Sequence, residues 1–235
     1  MTNKFKFFLS HLALSATLSL IIMAVVFFVW YPFPLASATG VSTIFLMLLA
    51  IDMVLGPLLA FFIYKSGKKT LKLDLGIIII IQICAMSYGV FNIFEGRPVW
   101  IVYNVDRFDL IRANDIEINS NNWFGPKYIA VQLSKNNEQR NTDLFNEVLG
   151  GVSITQQPSR YVSLGQVKKE IQSRARNLSE LKNYNINVNL NDLAKKYGQA
   201  DGWLPLKANA KDMVVLVNKK EGNVIQIVDL RPWSK

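Results

Sequence analysis

The chain has 235 residues, 51% of them hydrophobic, with 26 Lys and Arg against 17 Asp and Glu. Positions 7 to 94 hold only two acids, Asp52 and Asp74, and four bases, all between Lys65 and Lys72, whereas the chain from Arg97 onward carries 20 bases and 14 acids. This splits the length into an apolar part and one small soluble domain, and the lone cysteine, Cys84, excludes a disulfide framework or a cysteine-based metal site.

A bilayer span takes roughly 20 predominantly apolar helical residues, because hydrocarbon offers no partner to an exposed amide. The sequence predicts three, at 7–30, 41–64 and 71–94. The first is uncharged and polar only at His11 and a few Ser and Thr. It ends at Trp30 and Tyr31, aromatic anchors for an interface, before two prolines, Pro32 and Pro34, that stop the helix. Lys4, Lys6 and the small residues Ala36, Ser37 and Ala38 also suit a cleavable signal. A secretory core is about 7 to 15 residues, however, and this run is longer and is followed by two more, so cleavage is not expected.

In the second span Asp52 falls near the bilayer midplane, where a charge costs about 2.5–3.5 kcal/mol on insertion scales. Gln82 of the third span and Ser19 of the first lie at the same depth. The three suit a polar clasp between helices, or a contact for a foreign helix. Gly56 and Pro57, with Ser87 and Gly89, offer small or grooved surfaces for helix packing. Lys65, Lys68, Lys69 and Lys72 crowd the turn before span three, and the loop 31–40 is uncharged. The positive-inside rule then sets the N terminus and the lysine-rich turn in the cytoplasm and residues 97–235 on the far side.

The division is therefore 1–96, a three-helix transmembrane domain, and 97–235, a small α+β domain. Strands are expected at 99–103, 108–112, 128–133, 214–217 and 224–228, the last two joined by a Gly-containing turn. Helices are expected at 143–149, 164–181 and 190–197, and Asn-rich 119–122 reads as loop. The expected fold is an antiparallel sheet with helices on one face.

Chemistry is sparse. The outer domain has neither His nor Cys, so it lacks a His-based general base or metal site. Gly67-Lys68-Lys69-Thr70 is not a phosphate loop, since Phe62 stands at the upstream glycine position and Lys69 where Ser or Thr should be. The bases of 166–182 read as a solvated helix face, and no nucleic-acid module accompanies them. No cofactor and no catalytic constellation are expected.

The combination of Trp30-Tyr-Pro-Phe-Pro34, Asp52-Met-Val-Leu-Gly-Pro-Leu58, the lysine-rich turn leading to Asp74, Arg97-Pro98 with Val105-Asp-Arg-Phe108, and the closing Leu230-Arg-Pro-Trp233 resembles the TfpX/TfpZ type IV pilin accessory proteins of Gram-negative bacteria. The resemblance implies the inner membrane, a periplasmic outer domain and a major pilin as partner. It further implies a non-enzymatic role in pilin stability or assembly. Trp123, Phe124, Gly125 and Pro126, beside the Asn-rich stretch, are then the candidate pilin-selective region. The alternative is a membrane-anchored sensor or transporter subunit with a periplasmic binding domain. Asp52 and Asp74, at different depths, form no acid pair.

Overall fold

The computed structural model describes residues 2–116, 122–134, 136–149 and 151–234, so positions 119–121 of the predicted loop lie outside the described residues. Three helices long and apolar enough to cross a membrane come first: α1 (Asn3–Val25), continued by a π-helical turn Val26–Trp30, α3 (Val41–Ile63) and α4 (Leu71–Glu95). Leu14, Ile44, Phe62 and Ile80 are more than half exposed on them. In α1 the buried residues are instead His11, Ser15 and Ser19, spaced by four so that they share one face. A helix with apolar residues outside and polar ones inside suits hydrocarbon surroundings and opposes aqueous ones.

α3 packs against both α1 and α4, which make little direct backbone contact with each other. Phe45, Leu49, Met86 and Ile93 fill the centre with Val26 and Tyr31. At the outer end Tyr31, 2% exposed, donates its hydroxyl to the Ile93 carbonyl at 2.6 Å, tying the exit of α1 to the exit of α4. Burial raises the Tyr31 phenol above its ordinary pKa, so it stays a donor.

The uncharged connection read as a loop contains a further helix, α2 (Leu35–Thr39), ended by Gly40 at φ +75°. Leu35 and Ala38 are buried in the core of the outer domain, not that of the helices. The Ala38 carbonyl accepts from the amides of Ala210 and Lys211 at 3.0 and 3.1 Å. A Cβ at Gly40 would stand 2.9 Å from that of Ala210. Both the left-handed turn and this close approach require glycine.

The outer domain carries strands β1 (Pro98–Asn104), β2 (Arg107–Arg112), β3 (Lys127–Val131), β4 (Tyr161–Val162), β5 (Arg176–Asn177), β6 (Gly202–Lys207), β7 (Met213–Asn218) and β8 (Asn223–Val228). They form one sheet in the order β4-β3-β1-β2-β6-β7-β8, with β5 also paired to β6. The expected antiparallel sheet is corrected to a mixed one, since β1 pairs with β3 and β2 with β6 in parallel. Helices on one face is corrected too. Ile101, Tyr103, Leu204, Leu206, Met213, Val215 and Val217 face Ile171 of α6 (Lys168–Arg174) and Leu35 of α2. Trp203, Val214 and Leu216 pack on the other side, with Leu181 of the 3-10 turn Leu178–Asn183 and Leu193 of α7 (Leu190–Lys196). Consecutive apolar residues such as Val214 and Val215 put hydrophobic surface on both faces, and both must be covered.

The predicted helix 164–181 is broken at Ala175. α6 ends there, and β5 occupies the edge of β6 at Gly202 and Trp203, which β2 leaves free by pairing only with Leu206 and Lys207. β6 is absent from the expected strands, and it carries Pro205, a residue that argues against a central strand. Pro205 sits in the gap where β5 has ended and β2 has not begun, so on that side no ladder partner goes without a donor. The predicted helix 143–149 begins earlier, as α5 (Asn137–Val148), where the Asn136 side chain accepts from the Glu138 amide at 2.9 Å.

Candidate functional site

α1 and α4 diverge over α3 and leave a lateral cleft of about 400 Å³. Its walls are apolar, from Leu14, Leu18 and Ile22 on one side to Ile83, Met86 and Val90 on the other, and its polar floor holds His11, Ser15, Asp52 and Gln82. Gln82 organises that floor. Its Nε2 donates to Ser15 Oγ at 3.1 Å and to the Asp52 carbonyl at 2.9 Å. Its Oε1 lies 3.1 Å from His11 Nε2. An amide oxygen only accepts, so this contact requires the proton on His11 Nε2. One carboxamide thus links α1, α3 and α4, and each bond of this sort contributes about 0.6 kcal/mol in a membrane.

The structure brings Asp52 and Gln82 together, as their depth suggested, although the hydrogen bond from Gln82 runs to the main chain of Asp52. Ser19 faces the interior but stands apart from them. Its buried hydroxyl has no hydrogen-bond partner among the described residues. Ser15 and His11 take the place expected of it. The signal was present in the sequence, because His11, Ser15 and Ser19 are polar residues at four-residue spacing in an apolar helix. Asp74 lies far from this floor, in the first turn of α4, paired with Lys68 at 2.7 Å.

Gly56 and Gly89 are filled from within the molecule. A Cβ at Gly56 would collide with the Gln82 carboxamide, and one at Gly89 would come within 2.7 Å of both Leu48 methyls. Both glycines bring α3 and α4 close together. Pro57 is buried beside Gly56 within a continuous α3. Of the four residues expected to offer packing surface, only Ser87 lines the open cleft.

Beyond the cleft, at the outer ends of the helices, Trp30 and Phe94 meet at 5.0 Å between centroids, and Phe94 and Trp123 likewise at 5.0 Å. Arg97, 3% exposed, lies 3.6 Å over the Phe94 ring and donates Nη1 to the Phe94 carbonyl at 2.7 Å. α4 therefore passes into β1 through a fixed joint. Phe124, Gly125 and Pro126 run past Phe28, Val29 and Pro32 at the end of α1.

A second cavity, also about 400 Å³, lies in the outer domain between Arg107, Asp109, Asp115, Ser153, Gln156 and Lys207. Asp109 is 7% exposed and accepts from Arg107 Nε at 2.9 Å. Burial raises its carboxyl above the ordinary value against the opposing pull of Arg107.

The first 40 residues match the family model described as fimbrial assembly protein FimB, a stretch that includes all of α1 and α2. The fimbrial assembly protein of serogroup I of Dichelobacter nodosus is 33% identical over 183 residues, 72% of this chain and 70% of that protein. The serogroup E1 protein is 32% identical over the same shares. The protein of serogroups C1 and C2 is 38% identical over 109 residues, 45% of this chain and 82% of its own length. No solved structure matches the chain. Aligned residues covering most of both chains at such identity establish common descent, and the chain belongs to the family of fimbrial assembly proteins.

Proposed function

We propose that this protein is a non-enzymatic helper of type IV pilus assembly of the TfpX/TfpZ kind, held in the bacterial inner membrane. It receives a major pilin there and aids its stability or assembly. The observation that carries this reading is the cleft between α1 and α4, open sideways, apolar in its walls and polar on its floor. Such a cleft suits a single apolar helix entering from the bilayer, since helices in lipid associate by close packing and a few hydrogen bonds. That the relatives are fimbrial assembly proteins supports the process. The outer domain follows α4 directly, which would keep it in reach of a pilin head above the membrane.

Deletion of the gene tests the proposal. Surface pili and total pilin should both fall, and the wild-type chain should restore them. A deletion strain with normal pili and normal pilin would end the assignment. The second reading, a membrane-anchored sensor or transporter subunit with a periplasmic binding domain, draws support from the polar cavity around Arg107 and Asp109. It requires that the deletion leave pilus number unchanged.

A further inference from the structure

Where α1 ends, large rings stand at the surface, Trp123 with one side against Phe94. Phe28 is 82% exposed, Phe124 77% and Trp123 60%. These rings are held in place by the backbone around them. The Gly125 amide donates at 2.9 Å to the carbonyl of Val29, in the last turn of the helix, where carbonyls lack a partner within the helix itself. Asn122 donates its carboxamide to the carbonyls of Val99 and Gly125, at 3.2 and 2.7 Å, and its own carbonyl accepts from Arg97 Nε at 3.2 Å. The loop is thus fixed to both α1 and the entry of β1. Phe28, Pro32, Phe124, Pro126 and Lys127 surround one shallow depression.

A loop of a domain whose other apolar residues are mostly buried therefore displays Trp and Phe level with the final turn of an apolar helix. In water these rings would form an unprotected hydrophobic patch. At the boundary between acyl chains and headgroups they are favoured, with the indole N–H toward water and a nearby lysine reaching phosphate. We propose that Phe28, Trp123 and Phe124 form an aromatic footing that seats the outer domain on the bilayer. The rings enter the acyl–headgroup boundary of the leaflet where α1 ends, and Lys127 faces lipid phosphates. This rests on the reading of the three helices as spans. It assigns Trp123, Phe124, Gly125 and Pro126 to lipid in place of the pilin-selective role expected of them.

The test uses the full chain with its exposed Cys84 replaced by Ser, and an environment-sensitive fluorophore on Phe124→Cys or, as a span marker, on Ile80→Cys. Each protein is reconstituted alone in nanodiscs whose phospholipid carries a spin label at the headgroup or at mid-chain. The probe at 124 should emit blue-shifted light and lose most of it to the headgroup label, and the probe at 80 should lose most of its emission to the mid-chain label. Water-like, unquenched emission at 124 with quenching at 80 would overturn the footing and leave the spans standing. Emission at 124 that turns blue only when purified pilin is added would give the rings to a protein partner instead. Absence of quenching at 80 would remove the spans and the footing with them.

Discussion

Gln82 is the residue on which the helical bundle turns, and Gly56 is the space that admits it. Gly56→Ala should displace the carboxamide from His11, Ser15 and the Asp52 carbonyl, a loss of about 1–3 kcal/mol from overpacking and broken bonds. In a Gln82→Ala background the same change should cost little, because the colliding group is gone. Thermal melts of the four proteins in detergent check this coupling, and additive losses would contradict it. Asp109 supplies a pH test. Its folded pKa lies above the unfolded value near 3.8, so the native state holds the proton more tightly. Its contribution to stability then falls as pH rises through the window between the two values. Relative to wild type, Asp109→Asn should therefore be more favourable at pH 7 than at pH 4 in urea unfolding followed by the buried Trp203. The opposite trend would mean that Arg107 outweighs burial. Asp52 was legible in the sequence as a costly residue at mid-depth. That Gln82 would bond to its carbonyl, and that Ser15 would serve where Ser19 was expected, depended on helix rotation, which depth alone does not fix.

α2 is the element with the largest effect for its length. Its five residues, Leu35–Thr39, sit between two predicted spans, yet Leu35 is 3% exposed within the core of the outer domain. Leu35→Ala should cost that domain about 2–4 kcal/mol and speed its proteolysis, while Phe33→Ala, at a ring 79% exposed, should leave it unchanged. Equal resistance of both variants would show that α2 does not brace the sheet. The long helices could be read from hydrophobic length alone. α2 could not, because five residues between a proline and a glycine carry no periodic signal. The hairpins β1–β2 and β7–β8 were legible through local alternation and turns. β6 was hidden by Pro205, and the parallel pairs β1·β3 and β2·β6 join segments too distant in sequence for local pattern to report.

For the whole molecule, the orientation deduced from lysine placement and the rigid attachment of the outer domain make one account. In spheroplasts of a Cys84→Ser strain, a membrane-impermeant thiol reagent should label Ser173→Cys and miss Ser66→Cys, and the reverse pattern would invert the topology. α2, the Gly125 amide on the Val29 carbonyl, and Arg97, bonded to both Phe94 and Asn122, join the outer domain to the helices at three points. On the proposed function, a pilin helix seated between α1 and α4 would accordingly lie beneath an outer domain whose place on the helices is fixed. The direct measurement is photo-crosslinking in piliated cells, with a photoreactive amino acid at Leu18 or Ile83 on the cleft walls and at Leu46, an exposed position of α3 outside the cleft. Adducts with the major pilin from Leu18 and Ile83 but not from Leu46 are expected. Adducts from Leu46 alone, or none from any of the three in cells that contain pilin, would contradict the account.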